Sequence, residues 1–321
     1  MARHKWIVGG HIALVVAASL LQVGMAMPAA VPDKITLGLH FKTGQTFNLL
    51  TTIESNLTQT IMGQEMSTLA TNGLGYTFEV QQVGDDGTAT CKVTYNTVKM
   101  TMSMQGFSMD YDSTKPSTTL SPLVKHFAGL VGQSFSMRVS PTGHVSDVQG
   151  VEAIYEKIIK NLEVPDESMR GTVEQQLKEQ FGADALREAM EQAIGAKFPD
   201  GPVDIGDSWV KKMTVARPYP LSLESTLTLK DRKAGIAVIE VVSKISTNPA
   251  GKPMQLGPMT MSYALSGESK GQLEIDEASG WTVGGQYTQQ ISGTIQADGG
   301  PGGTMSIPIS GTITTRIESK K

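Results

Sequence analysis

Apolar and polar residues alternate over long stretches of this chain. A period of two puts successive side chains on opposite faces of an extended strand. Ile35, Leu37 and Leu39 alternate with Thr36, Gly38 and His40, and Tyr76, Phe78 and Val80 with Thr77, Glu79 and Gln81. Gly84-Asp85-Asp86-Gly87 then reads as a hairpin turn, because Asp-Gly accepts positive φ. In the next stretch Val93, Tyr95, Thr97 and Lys99 fall on one face, and Thr94, Asn96, Val98, Met100, Met102 and Met104 on the other. Further on, Met259, Met261, Tyr263 and Leu265 share a face. The segments Ile291 to Ile295 and Ile309 to Ile313 flank a glycine-rich loop as a matched pair, which predicts a hairpin. Strands of this length predict a wide, curved antiparallel sheet.

The period changes between 151 and 198. Val151, Ile154, Tyr155, Ile158, Ile159 and Leu162 recur at three and four, the spacing of an amphipathic helix. Met169, Val173, Leu177 and Phe181 predict a second helix after Pro165, and Leu186, Ala189, Met190, Ala193 and Ile194 a third. A shorter helix is expected near 122–131, opened by Ser121-Pro122 and ended by Gly132. The fold class is α+β, mainly β: a large, half-barrel-like antiparallel sheet with a central helical segment packed on its concave face. Along the chain this predicts a signal peptide at 1–26, a β-rich first half at 27–150, helices at 151–198 and a β-rich second half at 199–321, in one integrated domain.

The N-terminus is treated apart from the fold. Arg3 and Lys5 precede an apolar run, and Gly24-Met25-Ala26 ends it with small residues, the pattern of a secretory signal cleaved near Ala26. The mature protein is therefore expected outside the cytoplasm, periplasmic or secreted. An alternative is an uncleaved anchor, the one membrane contact the sequence suggests. The net charge of −4, with no basic run, argues against nucleic acid as a partner. The lone Cys91 excludes an internal disulfide, so the fold must rest on a hydrophobic core.

One short phrase occurs three times: Gly44-Gln45-Thr46-Phe47, Gly132-Gln133-Ser134-Phe135 and Gly206-Asp207-Ser208-Trp209. Each copy is expected at the start of a strand, with the aromatic residue as the first inward anchor. After the first and third copies the chain also matches, at Gly87 to Val93 and Gly235 to Val241, which suggests two related β-rich halves. Together with Ile61-Met62-Gly63-Gln64-Glu65-Met66, these phrases resemble an uncharacterised bacterial family of exported domains of unknown function. That resemblance spans nearly the whole mature chain and implies no catalytic residue. The order strands, helices, strands is also similar to periplasmic lipoprotein carriers of the LolA and LppX type, which implies an apolar cavity between sheet and helices.

Catalytic and metal chemistry find little footing. Gly267-Glu268-Ser269-Lys270-Gly271 matches the spacing of a hydrolase nucleophile turn, but a strand pattern follows it and no histidine lies beyond Ser269. It reads instead as a solvent-facing turn. No histidine or cysteine has a partner at metal-ligand spacing, so no cofactor is expected. The methionines, 17 in all, leave three readings open: strand packing, an adaptable apolar surface, or a thioether site for monovalent copper. The leading expectation is a non-enzymatic envelope protein that binds a lipid, an acyl chain or another apolar ligand. Met100, Met102, Met104, Ile154 and Ile158 are the candidate lining. The alternative is an envelope structural or interaction protein with a filled core and a protein partner.

Overall fold

The computed structural model describes residues 34–115, 127–160, 171, 182–195, 197–215, 219–251, 253–256, 259–300 and 303–319. The expected signal segment, the expected helix start at Ser121-Pro122, the expected helix from Met169 to Phe181 apart from Gly171, and Pro301-Gly302 lie outside these residues.

Among the described residues, thirteen strands form one antiparallel sheet that does not close. In chain order they are β1 (Thr46–Ile61), β2 (Gln64–Val83), β3 (Ala89–Met104), β4 (Phe107–Asp112), β5 (Ser134–Val139), β6 (Val145–Gln149), β7 (Ser208–Val215), β8 (Leu221–Lys233), β9 (Ile236–Thr247), β10 (Met254–Leu256), β11 (Met259–Asp276), β12 (Thr282–Gly300) and β13 (Gly303–Glu318). Across the sheet they run β6-β5-β3-β2-β1-β13-β12-β11-β9-β8-β7, with β4 added to β3 and β10 to β11. This order contains two meanders of like layout. The meander β1-β2-β3-β5-β6 runs outward on one side and β7-β8-β9-β11-β12 runs inward on the other. Each carries one short side strand, β4 or β10, and β13 joins the two by pairing with both β12 and β1.

The threefold phrase has one geometry in all copies. Gln45, Gln133 and Asp207 each donate a backbone N–H to the carbonyl three residues back, closing a tight turn. The glycine in the third place has φ of 85°, 80° and 96° respectively, a conformation that residues with a Cβ adopt only under strain. That glycine donates to the carbonyl of Val80, Tyr95 or Leu229, and the residue after it accepts from the same partner. The turn thus delivers a strand in register. The aromatic two places on faces Phe78, Val93 or Leu227 across the ladder.

Two helices pack on this sheet among the described residues: α1 (Val151–Lys160) and α2 (Ala183–Ile194). Their buried stripes, Val151, Ile154 and Ile158 on α1 and Leu186, Met190 and Ile194 on α2, match the periodicity that predicted them. The Glu191 carboxylate accepts the Val145 N–H at 3.0 Å and meets His144 Nδ1 at 2.7 Å, which ties α2 to β6. The main core joins these stripes to the inward rows of both meanders and to Trp281, which stacks on Phe47 at 4.7 Å and meets Phe78 edge-on.

Two sequence expectations are corrected here. Ile35 to Leu39 does not form a ladder strand. Ile35 pairs only with Val203, and the backbone of Leu39 and His40 donates to the turn carbonyls of Pro141 and Ser279. Leu37, Leu39 and Phe41 are nonetheless buried in the core. In β3 a register shift opposite Gly75 and Tyr76 makes Asn96 an extra residue. Such a bulge swaps the faces beyond it. Tyr95 and Val98 are therefore both buried, although strict alternation puts them on opposite faces.

Candidate functional site

The sheet's inward face holds a cavity of about 460 Å³. Its wall comes from eight strands (β1, β2, β7, β8, β9, β11, β12 and β13), from Gln192 and Ala193 of α2, and from Lys197 just beyond α2. Eight strands of one open sheet face a common space only if the sheet curls, as the long strands predict. Leu221, Leu223, Val241, Leu273, Ile291, Ile313 and Ile317 make most of the wall apolar. Ile53, 38% exposed, marks the open side together with the exposed Asn72 and Gln192.

The space exists because one row of the inward face is made of small or polar residues. Ser225 stands opposite Ser243, Ser243 opposite Ser269, and Ser269 opposite Gln289, in a straight row across β8, β9, β11 and β12. On one side of this row run Leu223, Ile245, Gly267 and Ile291; on the other run Leu227, Val241, Gly271 and Tyr287. The apolar packing breaks at the row. Leu227 and Val241 belong to the main core, whereas Leu223, Ile245 and Ile291 form a separate cluster. Ser225 and Ser243 hydrogen-bond each other at 2.8 Å. Ser269 is buried, and no hydrogen bond of its hydroxyl is found among the described residues.

The Gly267-Glu268-Ser269-Lys270-Gly271 stretch is therefore not a solvent-facing turn. It lies within β11, with Ser269 turned into the cavity and Glu268 and Lys270 paired on the outer surface. A Cβ on Gly267 would collide with the Gln290 carbonyl, and one on Gly271 with the Gln286 carbonyl. The two glycines let β12 approach β11 closely and leave the inward surface without side chains on either side of the serine.

Lys197, 7% exposed, lines the cavity beside Thr282. Its ammonium donates to the Thr282 hydroxyl and lies 5.5 Å from the centre of the Phe198 ring. No carboxylate pairs with it among the described residues. Burial away from water disfavours the charged form and pulls its pKa down to about 7. The Trp209 indole N–H holds the Lys197 carbonyl at 2.9 Å, which fixes the backbone that presents the side chain. Thr282 pairs with Ile275, six residues along β11 from Ser269. At roughly 3.3 Å per residue that is about 20 Å of strand. The lining carries no Asp or Glu among its described members; burial raises the pKa values of its two phenols, Tyr219 and Tyr287.

The residues expected from sequence to line a ligand site lie elsewhere. Ile154 and Ile158 are consumed by the main core, and Met100 packs against it half-buried. Met102 faces Met109 across β3 and β4, and both line a second, more open groove with Asp110 and Glu54. Met104 is half-buried opposite Phe107. Sequence reading missed Lys197, which carries no periodic signal. The serine row did leave one: an inward apolar run interrupted once per strand, as in Leu223, Ser225, Leu227 and in Val241, Ser243, Ile245. Cys91 is buried in the core with its thiol pushed up to about 12, which leaves it inert as a nucleophile.

No helix among the described residues is long and apolar enough to cross a membrane. No curated protein matches the chain. Among solved structures, DynF from the dynemicin biosynthesis pathway of Micromonospora chersina aligns over 92% of this chain and 89% of its own at 7% identity. The TM-score of 0.21 is too low to carry an argument. Residues 86–282, from the β2–β3 turn to the first residue of β12, match a family described as of unknown function, DUF6263. The chain belongs to that family.

Proposed function

We propose that this is an exported, non-enzymatic cell-envelope protein that binds an apolar ligand such as a lipid or acyl chain in the cavity built mostly by the second meander. One observation carries the reading: about 460 Å³ of largely apolar space, open at Ile53 and interrupted by a few fixed polar groups. Small-molecule sites have this size and this mixture, with an apolar wall for affinity and a few polar groups for orientation. A merely loose core would cost stability in proportion to its voids, so retained space of this size supports a role in binding. Export rests on the segment up to Ala26, with its basic start, apolar run and small-residue exit.

Native mass spectrometry of the mature protein, purified from its own envelope without detergent, tests this. The expected spectrum shows a species heavier than the chain by a lipid-sized mass that disappears after solvent extraction. A single bare mass, together with no uptake of added amphiphiles, would overturn the reading in favour of a structural protein.

A further inference from the structure

We propose that the cavity takes a single-chain carboxylate amphiphile, of the fatty-acid class, with its carboxylate on Lys197 and Thr282 and its chain directed past the serine row. This rests on the reading of the cavity as an apolar ligand site and names the chemistry of the ligand. Lys197 is more than nine-tenths buried, lines the cavity, and has one hydroxyl as its hydrogen-bonding partner among the described residues. An ammonium in that position has two donors left for an anion. A buried charge without a counter-charge is costly, and a ligand carboxylate removes that cost while forming charge-assisted hydrogen bonds.

The same geometry selects among anions. One lysine and no second cation in the described lining balance a monoanion; a dianionic phosphate would leave net negative charge buried. A cationic amphiphile would face Lys197 directly. Lining residues extend along about 20 Å of strand from the Lys197–Thr282 contact to the serine row, a reach that accommodates one extended chain. The hydroxyl of Ser269, which has no hydrogen bond among the described residues, offers with Gln289 beside it a second polar contact part-way along that chain. The low pKa of Lys197 agrees with a site suited to an anion, since pairing with one would restore the charged form.

The test measures binding of dodecanoate, dodecanol, dodecyl phosphate and dodecyltrimethylammonium to the delipidated mature protein at pH 7. Titration calorimetry is applied to the wild type and to Lys197→Met. The expected result is that dodecanoate binds the wild type on the order of tenfold or more tightly than dodecanol, the scale of a buried charged hydrogen bond. Dodecyl phosphate and the cation bind more weakly still, and Lys197→Met brings dodecanoate down to the level of dodecanol. Wild-type affinity for dodecanoate should also fall as pH rises above 7, because the unliganded lysine is then neutral. Tyr219 and Tyr287, the other titratable groups of the lining, stay uncharged through that range. Equal binding of acid and alcohol, unaffected by Lys197→Met, would overturn the carboxylate assignment and leave the apolar site standing. Tightest binding of the phosphate would also overturn it. Failure of all four to bind would overturn the cavity reading together with this one.

Discussion

At the scale of single residues, the molecule carries one cost that its core alone does not require, at Lys197. Its pKa is about 7 in the folded protein, against 10.5 for a lysine in water. Below pH 7 both the folded and the unfolded chain hold the proton, and the fold bears the full cost of a buried charge. Between about pH 7 and 10.5 the unfolded chain binds the proton and the folded one does not, so stability rises with pH. Above 10.5 the cost is gone. Lys197→Met, similar in length and apolar, should therefore stabilise the unliganded protein at pH 6 by on the order of 3 kcal/mol. The gain should shrink as pH approaches 10, which thermal melts at several pH values would show. A melting temperature lowered at pH 6 would mean that the ammonium has a stabilising partner. The sequence could not announce this residue. Its burial depends on where the chain runs after α2, and a single lysine in Gly195-Ala196-Lys197-Phe198 reads as surface.

Among the elements, the thrice-used turn explains how strands of 16 to 20 residues find their register. A slip of one residue would send every inward side chain to the solvent face. Each turn guards against that by hydrogen-bonding its glycine and the next residue to one fixed partner on the neighbouring strand. Gly44→Ala, Gly132→Ala and Gly206→Ala each find nothing within 4 Å of the new Cβ, so their cost is purely backbone strain. Each should destabilise by about 1–2 kcal/mol. Denaturant titration would measure this, and no measurable change would mean that the turn relaxes freely. These turns were legible because glycine, a hydroxyl residue and an aromatic are needed at fixed places. The bulge at Asn96 was not, because it arises from pairing with Gly75 and Tyr76, on the preceding strand. The Ile35 to Leu39 alternation was misleading for a related reason: burial alone produced it, without a neighbouring strand.

For the whole molecule, an open sheet leaves two edges and depends on one seam. Edges invite pairing with other chains. The β6 edge is short, with Asp147 at positive φ and the Val145 N–H taken by Glu191. The β7 edge carries Lys211, paired with Asp200, and Lys212, paired with Glu224. The seam is β13, which pairs with β1 on one side and β12 on the other and connects the two meanders in the ladder. Its inward residues Ile313, Thr315 and Ile317 are also cavity wall, so the same strand joins the halves and encloses the site. The cavity therefore belongs to neither half alone: Ile53 and Ser55 of the first meander complete a wall built mostly by the second. Ending the chain after Gly300 should bare two long, unprotected edges, β1 and β12, and open the cavity. The expected product aggregates, or binds a hydrophobic dye strongly and unfolds without a cooperative transition. A soluble truncated protein that melts cooperatively and still binds dodecanoate would show that the meanders hold together through the core under α1 and α2, and that β13 is dispensable to the site.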